Sequence, residues 1–163
     1  LEKVVLDSSV LVKSILKPGH WLPDEIYKRE LETHRKARIL IKTLKSHQTT
    51  VLIPYPVLVE VAAVVARLAS RELAEKAIES LKATKNYIII YEEEYRDRAL
   101  QAALETGSSG FDAYIIALAW VRDALLITDD ESMSERAKVL GIDVVLLRST
   151  SLENLMKRFS KPP

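Results

Sequence analysis

Five short apolar runs, each too short for a helix and each separated from the next by helical spacing, constrain this chain more than any other feature. Val4-Val5-Leu6, Val51-Leu52-Ile53, Tyr87 to Tyr91, Ala124 to Thr128 and Asp143 to Leu147 read as strands. Apolar periodicity predicts helices over Val10 to Leu16, Val57 to Leu68, Arg71 to Lys82, Glu92 to Glu105, Phe111 to Arg122, Glu131 to Leu140 and Ser151 to Phe159. Strands joined by helical crossovers pair in parallel, and a parallel sheet needs helices on both faces. The expected fold is therefore α/β, a three-layer sandwich with a central parallel five-stranded sheet flanked by helices. At 163 residues, one domain over 1–163 accounts for the chain. Its most distinctive part is a charged stretch from Asp24 to Ser46, predicted to be an amphipathic helical arm opened by Asp24-Glu25.

Composition excludes several kinds of function. The 24 basic side chains against 23 acidic leave a net charge of +1, so bulk charge cannot hold a nucleic acid and any such contact must be local. With no cysteine there is no disulfide frame, thiolate zinc site or cysteine nucleophile, and a reducing cytoplasm is the expected location. The four glycines fit neither a G-x-G-x-x-G turn nor a G-x-x-x-x-G-K-[ST] loop. The longest uncharged apolar stretch, Ala113 to Val121, is about half of a bilayer span. No membrane segment or signal peptide is expected, and a chain starting at Leu1 suggests a native start slightly upstream.

What remains is a set of acids at the ends of elements. Asp7 closes the first strand, Asp129 and Asp130 the fourth, Asp112 lies at the mouth of an apolar helix, and Glu60 is embedded in Val57 to Val65. Asp7, Asp112 and one of Asp129-Asp130 could each be no more than helix caps. Glu60 lies too far inside its helix to cap it, and burying its charge costs several kcal/mol unless it pairs, for instance with Arg67, or binds a cation. Ligand sites of parallel sheets form outside the carboxyl ends of the strands, where these acids can converge. Converging carboxylates either retain protons or are neutralised by a divalent ion, and an all-oxygen donor set favours Mg²⁺ or Mn²⁺.

Four segments carry a resemblance: Val5-Leu6-Asp7-Ser8-Ser9-Val10, Pro56-Val57-Leu58-Val59-Glu60-Val61, Phe111-Asp112-Ala113-Tyr114-Ile115-Ile116-Ala117-Leu118-Ala119, and Leu126-Ile127-Thr128-Asp129-Asp130. In this order they resemble the PIN-domain family, in particular its ribonuclease toxins of VapC type. The resemblance implies a PIN-like fold with Asp7, Glu60, Asp112 and Asp130 as catalytic, metal-binding acids. Asp129 then fills a variable position. Ser9 and Thr128 match small polar residues that hold water or the carboxylates in place. It further implies an Mg²⁺- or Mn²⁺-dependent endoribonuclease leaving a 5′-phosphate and a 3′-hydroxyl, a homodimer, and a small antitoxin as partner. The Asp24 to Ser46 stretch is where the chain departs most from the family.

RNA would need positive charge near the acids, and Lys13, Lys17, Lys28, Arg29, Arg35, Lys36, Arg38, Lys42 and Lys45 are the candidates. Glu25, Glu30 and Glu32 interleave with them, so an ion-paired solvated face is the plainer expectation for most. His20, His34 and His47 are expected in solvent, and Trp21 and Tyr27 in the core rather than against a base. Two rival readings keep the fold: a non-catalytic PIN-like scaffold in an RNA-processing assembly, and a phospho-acceptor receiver domain. The second wants an acid pair at the first strand, where Asp7 is followed by serines.

Overall fold

β1 (Lys3–Leu6), β2 (Thr50–Pro54), β3 (Tyr87–Ile90), β4 (Leu125–Thr128) and β5 (Val144–Leu146) form one sheet in a computed structural model that describes residues 2–160. Every neighbouring pair is parallel, in the order β3-β2-β1-β4-β5. Central β1 sets Val4 and Val5 opposite Val51 and Leu52 on one side and Leu125 and Leu126 on the other. The chain builds outward from β1 to β3, then returns to lay β4 on the opposite flank. The order thus reverses between β1 and β4, and the crevice at their carboxyl ends is the place where ligands enter such sheets.

Among the described residues, eight α-helices cover the two faces: α1 (Ser8–Ile15), α2 (Asp24–Ser46), α3 (Tyr55–Leu68), α4 (Arg71–Ala83), α5 (Arg96–Thr106), α6 (Gly110–Arg122), α7 (Glu131–Val139) and α8 (Leu152–Phe159). α3 begins directly at the end of β2, with Pro54 before it and Pro56 in its first turn, where a missing amide forfeits no helical hydrogen bond. α6 is apolar nearly all round because it is buried on most sides, with Ala113 and Ile115 to Ala119 in the core. Fully enclosed side chains such as Leu6, Ile116 and Leu118 contribute about 1.5–3 kcal/mol each to the fold. Among the described residues, no helix is long and apolar enough to cross a membrane.

The structure departs from expectation in several places. The helix predicted from Glu92 starts at Arg96, because Tyr95 leaves helical geometry (φ −144°, ψ 11°) to bury its ring, and Glu92–Glu94 form only a 3₁₀ turn. The charged stretch is one continuous helix, α2, about 34 Å long at 1.5 Å per residue. It lies against α1 and α8, and its stripe of Ala37, Leu40 and Leu44 joins the hydrophobic core. His34 is buried there rather than solvated, its Nδ1 2.5 Å from the Lys13 carbonyl, while His20 and His47 are exposed as expected. Lys36 is buried too and donates to the carbonyls of Leu147 and Arg148, so it is no free contact for RNA. Trp21, expected in the core, is 86% exposed.

Candidate metal centre

Asp7 is the pivot of the site. It occupies the N-cap position of α1, yet its side chain does not cap that helix; only its carbonyl accepts from the amides of Val10 and Leu11. Its amide instead donates to Ile127, extending the β1–β4 pairing, and its carboxylate is buried at the sheet crevice. There Oδ2 accepts from the Ser9 hydroxyl at 2.6 Å and the Thr128 hydroxyl at 2.8 Å. Each of these hydroxyls also accepts from the loop after β4: Ser9 from the Asp129 amide at 2.9 Å, Thr128 from the Asp130 amide at 3.0 Å. Two hydroxyls thus tie the acid of β1 to the backbone of β4.

The other acids arrive from helices. Glu60, on α3, is half-buried and takes a hydrogen bond from the Ser8 hydroxyl, which stands 3.3 Å from Asp7 Oδ1, so a single hydroxyl links the two carboxylates. No arginine holds Glu60; among the described residues Arg67 forms no ion pair. Nor is Glu60 enclosed by apolar side chains as its sequence suggests, since Val59 and Ala63 lie at the surface of α3. Asp112 stands in the first turn of α6, where the helix dipole favours negative charge. Asp130 is exposed and caps α7 through Oδ1, which accepts from the Met133 amide at 3.0 Å. A cap is thus one of its roles, with the second oxygen left over.

Asp7, Glu60, Asp112 and Asp130 line one cavity of about 240 Å³ together with Ser8, Ser9 and Lys13. They share a groove and not a ready-made cage: among the described residues, no three such side chains stand close enough to grip an ion at once. Their electrostatics are those of acids whose burial and mutual repulsion outweigh the counter-charge near them. Burial raises the Asp7 carboxyl above the usual range, offset only in part by Ser9, Thr128 and Ser8. Glu60 is raised by burial and by the charges of Asp7 and Asp112, against the pull of Ser8. Asp112 is raised by burial, then by Asp7 and Asp130, against a hydrogen bond from Ser109 and the charge of Arg136. Four oxygen donors, three of them penalised for their charge, form a donor set that suits a hard divalent cation such as Mg²⁺ or Mn²⁺.

Asp129 has the opposite environment. It is 2% exposed and accepts from the Arg148 amide at 2.8 Å, while the Arg148 guanidinium and the Lys13 ammonium both pair with its carboxylate. Lys13 also reaches Glu30 of α2 at 2.8 Å. Burial alone would raise Glu30, but Lys13 outweighs it and holds that carboxyl below its ordinary range. The sequence assigns Ser8 no role of its own and does not single out Arg148. A serine pair after Asp7 was visible, but nothing in the pattern marks Arg148 as the partner of a residue 19 positions away. A larger cavity of about 440 Å³ lies at the opposite rim of the sheet, lined in part by Glu2, Lys3 and Asp143. There Arg158 neutralises both Glu2 and Asp143, and the carboxyl-end rule favours the acidic groove as the site.

Comparison with known proteins agrees with this fold. A family model described as PIN domain matches residues 4–139. No curated protein matches the chain. The fold is similar to that of VapBC2 from Rickettsia felis, solved bound to a DNA fragment from its promoter, with a TM-score of 0.58 and 15% identity over 88% of this chain and 97% of that one. It is also similar to FitAcB from Neisseria gonorrhoeae, with a TM-score of 0.61 and 16% identity over 90% of this chain and 99% of that one. At such identities the structural likeness concerns the fold.

Proposed function

The chain belongs to the PIN domain family, and we propose that it is a metal-dependent endoribonuclease acting on single-stranded RNA, the toxin of a toxin–antitoxin pair. The observation that carries the proposal is the groove itself. Burial holds Asp7 above the ordinary carboxylate range, and burial with the charge of neighbouring carboxylates does the same for Glu60 and Asp112. Among the described residues, the one cation lining that groove, Lys13, is already engaged by Asp129 and Glu30. Asp7, Glu60, Asp112 and Asp130 would hold the ion, which supplies an acidified water and positive charge at the phosphodiester. Ser9 and Thr128 fix Asp7 by its Oδ2, leaving Oδ1 toward Ser8 and the groove. The Lys13–Asp129–Arg148 cluster keeps a buried carboxylate of the same loop from adding to the repulsion. The products follow the family pattern, a 5′-phosphate and a 3′-hydroxyl. A homodimer and a small antitoxin belong to the same proposal; Leu100 and Leu104 of α5, 65% and 79% exposed, leave apolar surface that a second chain would cover.

The test is Mn²⁺-dependent cleavage of a mixed pool of single-stranded RNA by the wild type, Asp7→Asn and Asp112→Asn. Each variant is expected to lose more than the about 10–100-fold that a residue behind a metal ligand is worth, with its circular dichroism unchanged. Undiminished cleavage by either refutes the site. The rival reading, a PIN fold without turnover, requires that the wild type bind no Mn²⁺ and cut nothing in the same assay.

A further inference from the structure

Beside the acidic groove is a second cavity, of about 220 Å³, lined by Val12, Leu16, Pro18, Trp21 and Leu68 among others. Val12 and Lys13 line both cavities, so the two adjoin along α1. Trp21 stands at the tip of a turn closed by the Leu22 amide on the Gly19 carbonyl. The indole lies so close over Gly19 that a Cβ there would come within 2.2–2.4 Å of its six-membered ring, yet 86% of the residue remains exposed. A large flat side chain, set by a glycine and left open to water, has no role in the core. Leu68, 64% exposed at the end of α3, supplies a second apolar wall. Lys17 is exposed and, among the described residues, forms no ion pair.

From this arrangement we infer that the cavity is a nucleobase subsite: the unpaired nucleotide next to the scissile phosphate inserts its base against Trp21, with Lys17 meeting its outer phosphate. The inference rests on the ribonuclease reading and adds to it the residues that hold the strand. Three features favour one nucleotide over a protein segment as the occupant. The volume is below the about 300–1,000 Å³ of pockets for drug-sized ligands. The open indole face suits stacking, which accepts any base. Adjacency to the acidic groove puts the base beside the phosphodiester that the acids would address.

The experiment uses the full chain with Trp120→Phe, which leaves Trp21 as the only one of the two tryptophans. Stopped-flow mixing with short single-stranded RNA in Mg²⁺ is expected to quench Trp21 fluorescence, while an abasic oligonucleotide of equal length and charge leaves it unchanged. In steady-state cleavage, Trp21→Ala is expected to raise KM about tenfold with kcat unchanged, within the range of one stacked base. Trp21→Phe should recover most of that loss, and Gly19→Ala, which displaces the ring without removing it, should mimic it. Equal quenching by the abasic strand, or no quenching by any strand, overturns the subsite. So does an unchanged KM for Trp21→Ala while the wild type cleaves, an outcome that gives this face to a protein partner. A wild type that cuts no RNA but shows base-dependent quenching removes the nuclease reading and keeps the subsite.

Discussion

Asp129 and Asp130 are neighbours in one loop and have opposite fates. Asp129 turns inward, is buried, and is neutralised by Lys13 and Arg148. Asp130 turns outward and joins Asp7, Glu60 and Asp112 around a groove where Lys13 is already paired with Asp129 and Glu30, and where the charge of Arg136 does not bring Asp112 back to its ordinary range. The fold therefore contains two acidic regions, back to back at the ends of β1 and β4, one balanced within the chain and one left unbalanced. A domain able to place Lys13 and Arg148 so well on one side has no evident obstacle to placing cations on the other. Under the proposed function, an ion from solution would complete that balance.

Mutations should separate the two regions by sign. Asp129→Ala strands two cations. It is expected to destabilise the protein by about 2–4 kcal/mol in chemical denaturation, somewhat under the about 3–5 kcal/mol of a fully enclosed pair because Lys13 and Arg148 remain about a quarter exposed. Asp7→Asn should do the reverse in the metal-free protein. The amide oxygen can keep the bonds from Ser9 and Thr128 while the buried charge is gone, so stability in EDTA should rise by about 1 kcal/mol, the low end of what removing buried charge returns. A loss of stability for Asp7→Asn in EDTA would mean that the groove acids are as well balanced as Asp129.

The smallest effect is in pH dependence, and the two regions again differ in direction. Asp7, Glu60 and Asp112 have raised folded-state pKa values, so their contribution is full below the unfolded carboxylate range, about pH 4, and is lost as pH rises through the folded values. Glu30, lowered by Lys13, contributes above its unfolded value and loses that contribution as pH falls through its folded one. Denaturation midpoints in EDTA across the acid range should show both trends, and Glu30→Gln should remove only the second.

The fold was largely legible because strands buried on both faces leave uninterrupted apolar runs, and the crossovers between them dictate parallel pairing. Asp7 and Asp112 could be placed at element ends for the same reason: Val4-Val5-Leu6 and Ala113 to Val121 announce where the apolar core begins and stops. Long-range pairing was not legible. The order of Thr128, Asp129 and Asp130 sets Asp130 apart by resemblance, but the partners that neutralise Asp129 lie far along the chain, a lysine 116 positions earlier and an arginine 19 positions later. His34 and Lys36 looked like members of a solvated face because α2 is polar overall, yet it lies against α1 and α8 along a narrow stripe that includes both. Trp21 was read as core by its type, whereas a turn at Gly19 carries it outside.

The claim on which the rest depends is that the unbalanced acids hold a divalent ion. Anomalous diffraction from a crystal of the wild-type chain grown with Mn²⁺ tests it most directly. The account predicts a peak in the groove, bound by Asp7 and at least one of Glu60, Asp112 and Asp130, that vanishes in Asp7→Asn. A groove without a peak at saturating Mn²⁺, or a peak that persists in Asp7→Asn, would contradict it.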